Sequence, residues 1–173
     1  MRAIKTTTIS ILTVGLLAGS VVGVAAQDEA DPMAPSTFTV QLAGEPRVTT
    51  DNTGTTKLVG EWESTDQRAS GTLTQVVASA PVDVADGDSG VIQRLAVQLL
   101  NDGGSWVGSS RGFLTFPSDG PETVQFLGEL VGEGAYEGLS LLFAEMGVAD
   151  DVRIIGVIVP TGDIPAVPGL PAE

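Results

Sequence analysis

Short runs of β-branched and other apolar residues, each cut off by a cluster of Gly, Asp, Asn, Ser or Pro, recur along most of this chain and admit few folds. This is the pattern of strands joined by turns. Val, Ile, Thr and aromatic residues fit a pleated surface, while the breakers tolerate positive φ or preset a bend. Eight strands are expected, over 36–43, 57–65, 68–78, 91–100, 105–116, 122–131, 138–146 and 152–159. Most links are short, as in Asn101-Asp102-Gly103-Gly104 and Pro117-Ser118-Asp119-Gly120-Pro121, so successive strands should run antiparallel.

Period-two alternation supports the assignment and sorts the faces. In 122–131, Val124, Phe126 and Leu130 oppose Thr123, Gln125 and Glu129; in 91–100, Val91, Leu95, Val97 and Leu99 oppose Arg94 and Gln98. One face is core and the other is wetter. The runs Val91–Leu100 and Leu139–Met146 also have the composition of helices, but neither shows an N-cap followed by a long helical stripe.

Eight antiparallel strands over about 125 residues fit an eight-stranded up-and-down barrel, with a two-sheet β-sandwich as the alternative. Closure removes the sheet edges that invite aggregation. Glycines inside the expected strands, Gly60, Gly71, Gly108, Gly112, Gly128 and Gly156, suit a strongly bent sheet better than a flat one.

The flanks read differently. Arg2 and Lys5 precede an apolar, acid-free run from Ile9 to Ala26, the pattern of an export signal with Val24 and Ala26 at the −3 and −1 positions. Residues 1–26 are thus expected to be removed and the chain to be secreted or held in the cell envelope. A retained membrane anchor is the competing reading, and the Gly, Ala and Ser content of the run argues for removal. Residues 27–35 read as a flexible acidic leader, 36–159 as the domain and 160–173 as a disordered Pro-rich tail.

Charge and composition narrow the function. The net charge is −14, and loss of residues 1–26 removes two cations and no acid, leaving −16. Nucleic acid is an unsuitable partner, because binding it requires Lys and Arg to neutralise phosphates. The chain has no Cys and no His, so no disulfide supports it and the commonest general base and transition-metal ligand are missing. We expect no cofactor and no metal. Asp83, Asp86 and Asp88 gather carboxylates in one stretch but lack the spacing and terminal Glu of a calcium loop. Glu61 and Glu63 fall opposite Leu58 and Trp62, as an outward acidic row would.

The stretch GEGAYEGL, Gly132 to Leu139, spaces its glycines 132, 134 and 138 wrongly for a dinucleotide loop and suits a turn between strands, with Tyr136 covering one end. It resembles the Gly-x-Gly-x-(Phe/Tyr)-(Glu/Arg)-(Gly/Asn) turn of the allene oxide cyclase and dirigent barrel superfamily. The succession EWESTDQRASG, NDGGSWVGSSRG and GEGAYEGL, within Leu58–Phe143, is similar to that of small exported bacterial proteins of uncharacterised function associated with this barrel. The resemblance implies an eight-stranded barrel that assembles as a homo-dimer or trimer. In the plant families, cyclases convert an unsaturated fatty-acid epoxide and dirigent proteins steer radical coupling. Without a Cys, and with no acid matching the families' pocket carboxylates, the chain inherits no catalytic residue.

The expected function is that of an exported, non-catalytic barrel binding a small apolar ligand or partner; the alternatives are a cyclase-like isomerase and a purely structural surface protein. Arg94 and Arg111, each nearly the sole cation of its strand, are the candidate anchors for a carboxylate-bearing ligand, against the alternative of surface pairs with acids. Trp62, Trp106 and Tyr136 are candidates to line a cavity mouth, or else core residues.

Overall fold

The computed structural model describes residues 32–84, 88–149 and 151–165. Nine strands form one antiparallel sheet: β1 (Ser36–Leu42), β2 (Arg47–Thr50), β3 (Thr56–Ser64), β4 (Gly71–Asp83), β5 (Ser89–Asn101), β6 (Gly104–Phe116), β7 (Thr123–Gly134), β8 (Leu139–Val148) and β9 (Asp151–Pro160). The order is β1-β9-β8-β7-β6-β5-β4-β3-β2, and a further β1–β3 pairing closes the sheet into a ring. The strands belong to a single continuous sheet, so the two-sheet alternative does not apply. Both stretches with helical composition are strands, β5 and β8.

The strand beyond the expected eight is β2. Its four residues, RVTT, are too few to show alternation, and it lies along the N-terminal half of β3, Arg47 opposite Val59 and Thr50 opposite Thr56. β1 uses the other half of the same edge, Val40 opposite Ser64 and Leu42 opposite Trp62. The expected strand at 68–78 begins later, because Gln67–Ala69 form a 3-10 turn capped by the Asp66 side chain. β4 and β5 outrun their expected limits to Asp83 and Ser89. Pro81 is tolerated within β4 because β3 ends at Thr56, opposite Val77, leaving that part of β4 with one neighbour.

The core lies inside the ring. Phe38, Val40, Trp62, Leu73, Leu95, Val97, Leu99, Trp106, Val124, Phe126, Leu130, Leu139, Leu141, Phe143, Ile154 and Ile158 alternate along their strands with outward residues. Two glycines let the ring curve around aromatic side chains: a Cβ on Gly128 would lie 2.1 Å from the Phe143 ring, and one on Gly156 would lie 2.3 Å from that of Phe38. Each ring therefore packs against backbone where a side chain would stand.

Both flanks make contacts with the domain where they are described. Arg68 Nη1 donates to the carbonyls of Pro32 at 2.7 Å and Ala34 at 3.0 Å, so the end of the leader is held against the domain. After Pro160, Thr161–Asp163 form a 3-10 turn, with Thr161 N donating to Gly138 O at 2.8 Å. The expected signal segment, residues 1–26, lies outside the described residues, as do 166–173 of the tail.

Candidate functional site

The sequence candidates do not converge on one site. Trp62, Trp106 and Tyr136 are core residues, 2%, 0% and 7% exposed. Tyr136 stacks on Trp106 with centroids 4.9 Å apart and planes 10° from parallel, and its hydroxyl donates to Asn101 Oδ1 at 2.8 Å. The GEGAYEGL segment is the β7–β8 turn. Gly134 takes a φ of 71° and Gly138 one of 88°, while a Cβ on Gly132 would lie 2.1 Å from the Tyr136 carbonyl oxygen. Ala135 N donates to Gly103 O at 3.0 Å, tying this turn to the β5–β6 hairpin.

Beneath that turn lies a polar hub the sequence reading missed. Arg68 pairs with Asp66 at 2.7 Å and donates from Nη2 to Ser36 Oγ at 2.8 Å, while its carbonyl accepts from Trp106 Nε1 at 2.7 Å. Burial raises the pKa of Asp66, but hydrogen bonds from Arg68 and Ser36 outweigh it and hold the carboxyl below its ordinary value. Every donor points at protein, so this hub is architecture. The signal for it was Asp66-Gln67-Arg68 beside a strand start, an N-cap with a cation two residues on.

Arg94 and Arg111 point outward. They sit directly opposite each other on β5 and β6, and neither makes an ion pair or hydrogen bond among the described residues. Like charges in that position repel, and their cross-strand neighbours Ala78 and Leu127 offer no relief. Glu61 also faces out, accepting from Thr72 Oγ1 at 2.8 Å, as the acidic-row reading expects. The stretch with Asp83, Asp86 and Asp88 is described only in part, and no group of three acids able to hold a metal occurs among the described residues.

Arg111 stands at one end of an open groove of about 1000 Å³ that crosses the outside of β6, β7, β8, β9 and β1. Its walls are two outward rows, Ser109, Glu129, Leu142, Val157 and Thr37 on one side, and Arg111, Leu127, Ala144, Ile155 and Thr39 on the other. Between the rows lies the backbone of Gly128 and Gly156, residues that face inward onto the Phe143 and Phe38 rings. Leu127 is 63% and Ile155 47% exposed, so the apolar surface is open to solvent. The groove therefore offers an apolar track with an unpaired guanidinium and the Glu129 carboxylate at one end and hydroxyls at the other.

Glu145, also unanticipated, faces the interior. It lies opposite Phe126 on β7 and Ile154 on β9, both buried, on the same face of β8 as Leu139, Leu141 and Phe143. Burial pushes its pKa up to about 7, although the residue retains intermediate exposure. The signal was an acid two residues beyond Phe143 on an otherwise apolar face.

Compared with protein-family models, curated proteins and solved structures, the chain gives no significant match to any of them.

Proposed function

We propose that this chain is an exported, non-catalytic β-barrel of the allene oxide cyclase and dirigent type that binds a small apolar ligand with an acidic head along its outer groove. Eight strand positions are a natural reading of the ring, since β1 and β2 share one edge of β3 and together fill one position. Export rests on the N-terminal signal pattern, and the absence of His and Cys favours binding over acid–base or thiol chemistry.

One observation carries the binding assignment. The groove of about 1000 Å³ begins at an arginine whose direct cross-strand neighbours are a second arginine and Leu127, with Glu129, which makes no ion pair among the described residues, in the opposite wall. A carboxylate there gains charge-assisted hydrogen bonds and relieves the repulsion between the guanidiniums, while its tail leaves water along Leu127, Ala144 and Ile155. This reading puts the anchor role expected of Arg94 and Arg111 on the outer face.

Calorimetric titration with decanoate tests this. Saturable binding is expected, weakened roughly ten- to hundredfold in Arg111→Met, which keeps most of the apolar stem. Equal affinity of both proteins for decanoate would refute the groove assignment.

A further inference from the structure

The interior of the ring is graded from dry to wet. Leu99, Trp106, Leu139, Leu141 and Ile158 are 0% exposed, whereas Val77, Leu114 and Val152, also turned inward, are only partly buried. Glu145 belongs to the wetter part, and it has neither a hydrogen bond nor an ion pair among the described residues.

No cation of the fold is placed to neutralise it. The inward residues flanking Glu145 are Phe143 and Gly147 on β8, Val124 and Phe126 on β7, and Val152 and Ile154 on β9, none of them titratable. Arg68 is committed to Asp66, and Arg153 points outward to Asp151. Arg94 and Arg111 are on the outer face, and Arg47 and Lys57 are exposed on strands β2 and β3. A second interior polar group, Trp62 Nε1, is buried without a partner, on a ring that meets Phe143 edge to face at 5.3 Å. Unpartnered buried polar groups are rare in folded proteins. Trp62 Nε1 is such a group; the Glu145 carboxyl, half-buried, is unpartnered among the described residues as well, and both border Phe143.

We infer that the wetter end of the ring interior is a binding site for a small apolar ammonium ion, with the Glu145 carboxylate as its counter-ion. Among the described residues the fold supplies the carboxyl no positive partner, and an ammonium brings both charge and donors. Phe126 and Phe143 beside it add aromatic walls of the kind that attract cations. The partial exposure of Glu145 amid buried neighbours gives access from solvent, and a net charge of −14 concentrates cations around the molecule. With a pKa of about 7 the carboxyl is poised to ionise fully when a cation binds. The site is separate from the outer groove and does not depend on it.

Hexylammonium and hexanol, alike in tail and different in charge, are the probes, titrated by calorimetry at pH 8 in salt of about 0.15 M to screen the surface acids. Hexylammonium should bind saturably, one per chain, and shift the carbon resonance of the Glu145 side-chain carboxyl. Glu145→Gln, of nearly the same shape, should weaken it roughly ten- to hundredfold and leave hexanol unchanged. Lowering the pH to 5 should weaken hexylammonium binding to the unmodified protein and not to the variant, because only the former loses a carboxylate. Binding that persists in Glu145→Gln assigns the effect to surface acids and overturns the site; so does the absence of saturable binding or of any Glu145 shift. The resonance and pH measurements use the unmodified chain, so they decide the matter even if the variant folds poorly.

Discussion

The two ends of the ring interior are built by the same strands yet finish in different states. At one end the β7–β8 turn lays Tyr136 flat on Trp106, and Asn101 and the Arg68 carbonyl satisfy their polar tips. At the other, the β6–β7 link Pro117–Glu122 carries no large apolar residue, and its hydrogen bonds run to its neighbours: Ser118 N to Asp88 Oδ1 at 2.9 Å and Ala149 N to Glu122 O at 2.7 Å. A ring of strands does not close its own ends. Closure depends on whether a turn carries a side chain large enough to cover the core and on partners for that side chain's polar atoms.

The largest test of this contrast is a matched pair of truncations. Trp106→Ala at the sealed end removes a fully buried indole and its hydrogen bond to Arg68, and should cost about 3–5 kcal/mol by denaturant unfolding. Val152→Ala at the wetter end removes partly solvated methyl groups and should cost about 1 kcal/mol. Comparable losses would erase the distinction between the ends.

Next in size is the charge at the wetter end. The folded-state pKa of Glu145, about 7, lies above its ordinary 4.5, so the native state holds its proton longer than the unfolded chain does. Stability should therefore suffer no penalty from this group below about pH 4.5, lose ground as the pH rises, and carry the full penalty above about 7. Glu145→Gln should raise stability by about 1–3 kcal/mol at pH 8, a range lowered by partial solvation, and leave it unchanged at pH 4. An equal gain at both values would mean that the carboxyl is not confined in the interior.

Gly134→Val returns to the sealed end. At a φ of 71° a β-branched residue is strained, and the turn is held by its bond to Gly103, so a cost of about 1–3 kcal/mol is expected. An unchanged denaturant midpoint would show that the turn relaxes and that the lid is looser than its hydrogen bonds indicate.

Much of the sealed end was legible in the sequence because its signals are local. Asp102-Gly103 between Asn101 and Gly104 is a two-residue hairpin loop, and that alone sets the β5–β6 register that puts Arg94 opposite Arg111. GEGAYEGL announces a turn by its glycines. Alternation sorted β5 and β7 into core and outer faces because each is long enough to show its period. By contrast, four residues of β2 show none, and its position is set by β3, a partner across a loop. The outer groove was not legible at all, since it lies where Gly128 and Gly156 come side by side with Phe143 between them, a matter of pairing. Glu145 was legible in principle: extending the alternation Leu139, Leu141, Phe143 by one step places an acid on the core face. Trp62 shows the opposite limit, since its burial is easy to expect and its unpartnered Nε1 is a property of the assembled core.

The smallest test separates the two contributions of Tyr136 to the lid. Tyr136→Phe keeps the ring that stacks on Trp106 and removes only the hydroxyl that donates to Asn101 Oδ1 at 2.8 Å. Asn101 Oδ1 is not orphaned by the change, because Gly103 N also donates to it at 3.0 Å, and its Nδ2 still donates to Ser70 O at 2.8 Å. The loss should therefore be that of one neutral hydrogen bond with no desolvation penalty on the acceptor, about 0.5–1 kcal/mol, read from the denaturant midpoint. A cost well above this range would mean that the hydroxyl, and not the stacked ring, holds the lid in place, so that closure of this end would rest on a polar contact and not on apolar cover.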